Sequence, residues 1–178
     1  VKHTLVIGSN RGIGLELCRQ LAARGEQVTA TCRRTSPELS ALSGVEVHEG
    51  VDVTDGASIQ ALATKLGAGS VDSLYVVAGI LQSVSLDSLD LDVIRRQMEV
   101  NAIGPLATTA ALVPCLKAGS KVGLVTSRMG SVADNTSGGG YGYRMSKAAL
   151  NMAGRSLSHD LAPKGIAVRL LHPGWVRT

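Results

Sequence analysis

The chain has 178 residues, 44% hydrophobic and 18% charged, with a net charge of +4. This is the balance of one folded domain with apolar surface for a core, and it excludes a disordered chain. No apolar run reaches the roughly 18 residues of a membrane span, and with one Trp, three Tyr and no Phe among scattered basic residues no nucleic-acid partner is expected.

In chain order, short β-branched runs alternate with amphipathic stretches. Strands are predicted over 3–8, 27–32, 46–51, 73–78, 121–127 and 166–172. Helices are predicted over 12–23, 58–66, 93–117 and 143–161, the third bent near 101–105 where Asn101, Gly104 and Pro105 fall. The strands are mostly apolar, which predicts burial on both faces of a parallel sheet. Strand–helix alternation predicts right-handed crossovers with helices on both sides of that sheet. No repeat and no second domain is visible, so residues 1–178 read as a single domain. The segment NTSGGG at 135–140 reads as a flexible loop before the last helix. Cys18, Cys32 and Cys115 are an odd number without C-x-x-C spacing. They read as reduced, buried thiols of a cytoplasmic protein, and no metal site is expected. No secretory leader is expected either, because the first apolar run leads straight into a glycine loop.

That loop, GSNRGIG at 8–14, joins the first strand to the first helix. Gly8, Gly12 and Gly14 let backbone approach an anion closely, and the helix that follows presents its N-terminal amides to a pyrophosphate. The spacing G-x-x-x-G-x-G departs from the commoner G-x-G-x-x-G fingerprint. About 20 residues further on, where a carboxylate would receive an adenosine ribose hydroxyl, the sequence reads TCRR at 31–34. Arg33 offers a charge-assisted fork for a 2′-phosphate, flanked by Arg11, which favours NADP(H) over NAD(H).

Tyr143 and Lys147 stand four residues apart in YRMSK, so their side chains share one helical face. An ammonium beside a phenol is expected to lower the phenol's pKa and suit it to proton transfer. Tyr141 has Met145 at the equivalent spacing and lacks the lysine.

With these motifs in view, the chain resembles the short-chain dehydrogenase/reductase family over essentially its whole length. Asp52 and Val53 in VDV look like the family's adenine-contacting segment. Ala78 and Gly79 match the end of its N-N-A-G motif, and Asn101 in VNAIG matches the Asn of its mid-helix motif. Ser127, ending the fifth strand and opening SRMG, looks like the catalytic serine, with Ser131 as its rival. HPGWVRT at 172–178 matches the family's P-G-x-x-x-T cofactor segment through Pro173, Gly174, Val176 and Thr178. Within the family, SNRGIG and YRMSKAALN look most like sniffer-type carbonyl reductases and the bacterial C-factor group. Ile7 and Val77 depart from the pattern, standing where the family has Thr and Asn.

The resemblance implies a Rossmann-like doubly wound sheet of order 3-2-1-4-5-6. It implies cofactor contacts from Gly8, Asn10, Arg11, Gly12, Ile13, Gly14, Arg33, Asp52, Val53, Ala78, Gly79, Tyr143, Lys147 and the terminal segment. The implied catalytic set is Asn101, Ser127, Tyr143 and Lys147, acting on a small carbonyl or alcohol. Tyr143 would give the proton, Ser127 would hold the substrate oxygen, and Asn101 would position a water linking Lys147 to solvent. Pairing of two copies through the long helices is implied as well. Family members continue past the position of Thr178, so the part that covers the substrate is expected to lie beyond it. Two other readings stay open. The first is a sugar-nucleotide epimerase or dehydratase of the extended branch, whose G-x-x-G-x-x-G loop Gly8, Gly12 and Gly14 do not fit. The second is a dinucleotide-binding regulatory or signalling protein without turnover.

Overall fold

The computed structural model describes residues 1–176. Six parallel strands form one sheet in the order β3-β2-β1-β4-β5-β6. In sequence these are β1 (His3–Ile7), β2 (Gln27–Thr31), β3 (Val45–His48), β4 (Val71–Val76), β5 (Leu116–Val125) and β6 (Ala167–Leu171). The helices are α1 (Gly12–Ala23), α2 (Pro37–Ser40), α3 (Gly56–Leu66), α4 (Leu91–Met98), α5 (Gly104–Leu112) and α6 (Tyr141–Leu161). The expected order and the parallel, doubly wound architecture are present.

Alternation along the central strands feeds two cores. Leu5 and Ile7 of β1 join Leu74 and Val76 of β4, Val122 and Leu124 of β5, and apolar residues of α3, α5 and α6. Val6 points the other way and packs with Val28, Ala30, Cys18 and Leu21. A strand buried on both faces favours apolar residues; all five positions of β1 are buried, apolar from Leu5 to Ile7, while His3 and Thr4 are hydrogen-bonded to Thr29 and Glu26.

Three local features differ from the expectation. The predicted helix over 93–117 is three pieces: α4, a π-helical turn (Glu99–Ile103) and α5. Pro105 causes the interruption, because it has no N–H to give the carbonyl of Asn101 in α-helical register. The amide of Gly104 bonds instead to the carbonyl of Glu99. The last predicted helical residues belong to β5, whose entry is irregular: its register against β4 shifts between Val71 and Ser73. Ser120 steadies that entry by donating to the Val71 carbonyl at 2.8 Å. Short α2, capped by the Ser36 hydroxyl, carries no hydrophobic period long enough to show in sequence.

The central strands set the stability of the fold. Leu74→Ala, at a fully buried position of β4, is expected to lower the unfolding free energy by about 2–5 kcal/mol in urea denaturation.

Candidate active site at the C-terminal edge of the sheet

In a parallel sheet every strand delivers its C-terminal end to the same edge, and the strand order reverses between β1 and β4. The glycine loop leaves β1 at this point. Gly8 has φ +90°, and a methyl group on it would lie 2.7 Å from the Ala78 amide nitrogen. A methyl on Gly14 would lie 2.0 Å from the Gly8 carbonyl oxygen. The loop is thereby folded flat between the β4 exit and the first turn of α1, which only glycine permits at these two positions. The amides of Gly8 and Ser9 bond to the Thr31 carbonyl at 3.1 and 2.9 Å, and the Asn10 carbonyl accepts from the Ser36 hydroxyl at 2.7 Å. Arg11 sits at the helix N-cap position without a side-chain cap bond, and the first turn has no acid. The first-turn amides, with Gly12 and half-buried Ile13, are left for an anion.

Beyond β2 and β3, exposed Arg33 reaches Asp52 at 3.9 Å. Burial would raise the Asp52 pKa. Hydrogen bonds from the Thr54 amide and hydroxyl, at 2.9 and 2.8 Å, and the charges of Arg33 and Arg96 hold it below the usual carboxylate range. Val53 is buried and its carbonyl packs against Gly104 at the start of α5.

Ala78 and Gly79 leave β4 beside the centre of the cluster. A methyl on Gly79 would lie 3.3 Å from Asn101 Oδ1 and 3.6 Å from Lys147 Nζ. Asn101, fully buried in the π-helical turn, grips Ile80 from both sides: Oδ1 accepts from its amide and Nδ2 donates to its carbonyl, each at 2.8 Å. Nδ2 also donates to the Ser146 hydroxyl at 3.0 Å. Both donors of the amide are thus committed, and the water-holding role expected of Asn101 does not fall to its side-chain N–H groups.

Lys147 is 4% exposed and donates to the Val125 carbonyl at 2.9 Å, with its ammonium 5.6 Å from the centroid of the Tyr143 ring. Burial depresses the Lys147 pKa to about 8. Tyr143 departs from the expectation. Its pKa is raised, because burial of the phenol outweighs the lowering by the Ser127 side chain. Residue spacing reveals the neighbouring charge but not the desolvation that both groups share.

Ser127 caps a short 3₁₀ turn by accepting from the Met129 amide at 3.2 Å. Its rival Ser131 accepts instead from the Asp134 amide on the exposed side of the turn. The structure thus brings Ser127, Tyr143, Lys147, Asn101 and Gly79 to one place. Pro173, Gly174 and Val176 follow β6 as an exposed run at the same edge, and Thr178 lies outside the described residues.

Two braces were missed from the sequence. Asn151 accepts from the Thr126 hydroxyl at 2.5 Å and donates to the Gly130 carbonyl at 3.3 Å, so it clasps the Ser127 turn on both sides. Ser146 meets Asn101 as described. Both are small polar residues on the Tyr143 helix face, and only their recurrence on the buried side of α6 could have marked them.

The sequence profile of the short chain dehydrogenase family matches residues 2–178. The 1-hydroxy-2-glutathionyl-2-methyl-3-butene dehydrogenase of Rhodococcus sp. (strain AD45) is 50% identical over 176 residues, 98% of this chain and 77% of that protein. The C-signal of Myxococcus xanthus is 50% identical over 123 residues, 67% of this chain and 74% of that protein. Among solved structures, the NADPH-bound carbonyl reductase from chicken fatty liver superposes with a TM-score of 0.88 at 31% identity, covering 98% of this chain and 76% of that one. The carbonyl reductase Sniffer of D. melanogaster gives 0.87 at 28% identity, covering 98% and 81%. The likeness to sniffer reductases and the C-factor group holds.

The depressed lysine has a thermodynamic consequence. The folded protein gives up the Lys147 proton near pH 8 and the unfolded chain near 10.4, so between these values the unfolded state binds more protons and stability rises with pH. The penalty for burying the charge is full below about pH 8. Lys147→Met is therefore expected to be more stable than wild type at neutral pH. Its advantage should shrink by about 3 kcal/mol as pH rises through this window, read from denaturation curves at each pH.

Proposed function

The chain belongs to the short-chain dehydrogenase/reductase family, and on that premise we propose that it is an NADP(H)-dependent oxidoreductase acting on a carbonyl/alcohol pair, with Tyr143 as general acid and base. The observation that carries this reading is the buried Lys147 ammonium over the Tyr143 ring, with Ser127 acting on the same phenol. The NADPH-bound carbonyl reductase among the structural relatives supports the choice of cofactor.

The residues fit a dinucleotide, since the glycine loop is packed flat on its own backbone at Gly14 and the α1 N-terminus behind it has no side-chain cap and no acid in its first turn. The loop residues 8–14 would take the pyrophosphate and Arg33, flanked by Arg11, the 2′-phosphate. Asp52 and Val53 would face the adenine. Ala78, Gly79, Pro173, Gly174, Val176 and Thr178 would line the remainder with Tyr143 and Lys147. A bound nicotinamide supplies or accepts the hydride.

The chain's own residues handle the proton. A phenol whose pKa is raised is protonated at neutral pH, the form needed to give a proton to a carbonyl oxygen. Ser127 donates a hydrogen bond to that oxygen where negative charge develops. Once the proton has left, the Lys147 ammonium stabilises the phenolate. Reprotonation from solvent is assigned to a water on the main-chain carbonyl of Asn101, the atom that Pro105 cannot satisfy. Reduction is accordingly favoured at neutral pH and alcohol oxidation at alkaline pH.

The likeness to the C-signal supports a second reading, a dinucleotide-binding signalling protein without turnover. Tight NADPH binding with no reduction of any aldehyde, ketone or quinone would favour it over the first.

Tyr143→Phe is expected to lower carbonyl-dependent NADPH oxidation by about 10²–10⁴-fold while NADPH still binds; unchanged turnover would remove Tyr143 as the acid. Arg33→Ala is expected to weaken NADPH about tenfold or more and leave NADH unaffected. Wild-type protein that binds NADH as tightly as NADPH in a fluorescence titration would overturn the role of Arg33.

A further inference from the structure

The N-terminal end of α6 carries both Tyr143 and Lys147, yet its own capping does little to fix it. Gly140 at the N-cap makes no side-chain cap bond, and the loop before it runs through Gly138, Gly139 and Gly140, all with positive φ. Arg144 ties the loop to the helix through Gly139 and Ser137, but these contacts are between the helix and its own lead-in. None of them fixes the helix against the sheet.

Lys147 ties the helix to β5 through the Val125 carbonyl, and Ser146 ties it to the π-helical turn and, through Asn101, to the β4 exit. Ser146 is fully buried, so no solvent stands in for a lost partner. Its hydroxyl donates to the Tyr143 carbonyl at 2.8 Å and accepts from Asn101 Nδ2 at 3.0 Å. A serine bonded back to its own helix slightly weakens and bends the helix, and alanine would serve helix formation better. The second lone pair is what alanine lacks, and it receives the side chain that grips Ile80. One hydroxyl therefore joins three segments: the β4 exit, the π-helical turn and the first turns of α6.

We propose that Ser146 is a positioning residue, whose hydroxyl sets the α6 turn against the β4 exit and thereby fixes where the Tyr143 phenol and the Lys147 ammonium stand. The proposal rests on the reading of Tyr143 and Lys147 as the reacting pair. Ser146 touches neither substrate nor cofactor in this account and acts only through Tyr143 and Asn101.

The test compares wild type, Ser146→Ala and Ser146→Thr in three measurements: carbonyl reduction with NADPH, NADPH affinity, and titration of Lys147 by NMR of isotopically labelled lysine side chains. Alanine is smaller and favours helix, so the Ala variant is expected to fold. In it kcat should fall about tenfold, which corresponds to the loss of one buried hydrogen bond, with KM for NADPH changed by less than about twofold. The Lys147 midpoint should rise from about 8 toward the ordinary lysine value as the loosened turn admits water. Ser146→Thr retains the hydroxyl and should keep the wild-type midpoint. A Ser146→Ala protein with wild-type kcat and an unmoved Lys147 midpoint overturns the proposal. So does one that loses melting temperature and NADPH affinity while the midpoint stays in place, since that is a structural role alone. If Thr does not fit the buried position, the Ala arm decides by itself. A wild-type protein that reduces no carbonyl would end the proposed function, whereas the Lys147 midpoint would still decide the role of Ser146.

Discussion

The site depends on one buried ammonium. Lys147 reaches the end of β5 through its bond to the Val125 carbonyl and holds its ammonium over the Tyr143 ring. An ammonium in this setting is costly, and it responds by holding its proton less tightly. No carboxylate is among the causes of its shift. A full ion pair would restore the lysine's ordinary pKa and draw the ammonium away from the phenol. With a neutral carbonyl as its acceptor, the charge would stay available, on the proposed reading, to a phenolate formed beside it.

Holding such a group requires a rigid surround, and the surround is polar. Asn101, Ser146, Thr126 and Asn151 form two sets of hydrogen bonds, one tying α6 to the β4 exit and the other tying it to the Ser127 turn. Buried polar groups raise the cost of any misplacement, because each lost partner leaves an unsatisfied atom behind. The two sets meet α6 on either side of Lys147 in sequence, so they fix its backbone at both ends of one turn. The apolar cores beneath supply stability, and this network supplies the setting.

Much of the fold was legible because the central strands are buried on both faces, unlike the edge strands β3 and β6. Apolar runs such as 3–8 and 73–78 mark a central parallel sheet without ambiguity about which face is wet. The glycine loop was legible from Gly8 and Gly14, whose close approaches admit no side chain. The π-helical turn was half-legible: Pro105 predicts an interruption, but whether the chain bends, tightens or widens depends on what the freed groups meet in space. The direction of the Tyr143 pKa was misread, because spacing reports which charges are near and says nothing of the water removed from both. Ser146 and Asn151 were invisible for a related reason. A small polar residue on a helix reads as solvent-facing until the partner that buries it is known, and Asn101 lies 45 positions away from Ser146.

At the proposed adenosine end the same physics gives a different outcome. Arg33 and Asp52 are 3.9 Å apart with the arginine largely exposed, and an exposed ion pair contributes about 0–1 kcal/mol. Asp52 does not depend on that pair to remain ionised, since the Thr54 amide and hydroxyl already hold it. On the proposed reading the guanidinium would exchange this weak, screened partner for a phosphate dianion, against which two parallel N–H donors are stronger than one distant carboxylate contact. Asp52 then remains where Thr54 keeps it, with Arg96 among the charges that act on it. A carboxylate held by its own neighbours, beside an arginine held by a weak exposed pair, would let one short stretch of surface keep its shape while its charged partner moved to a ligand.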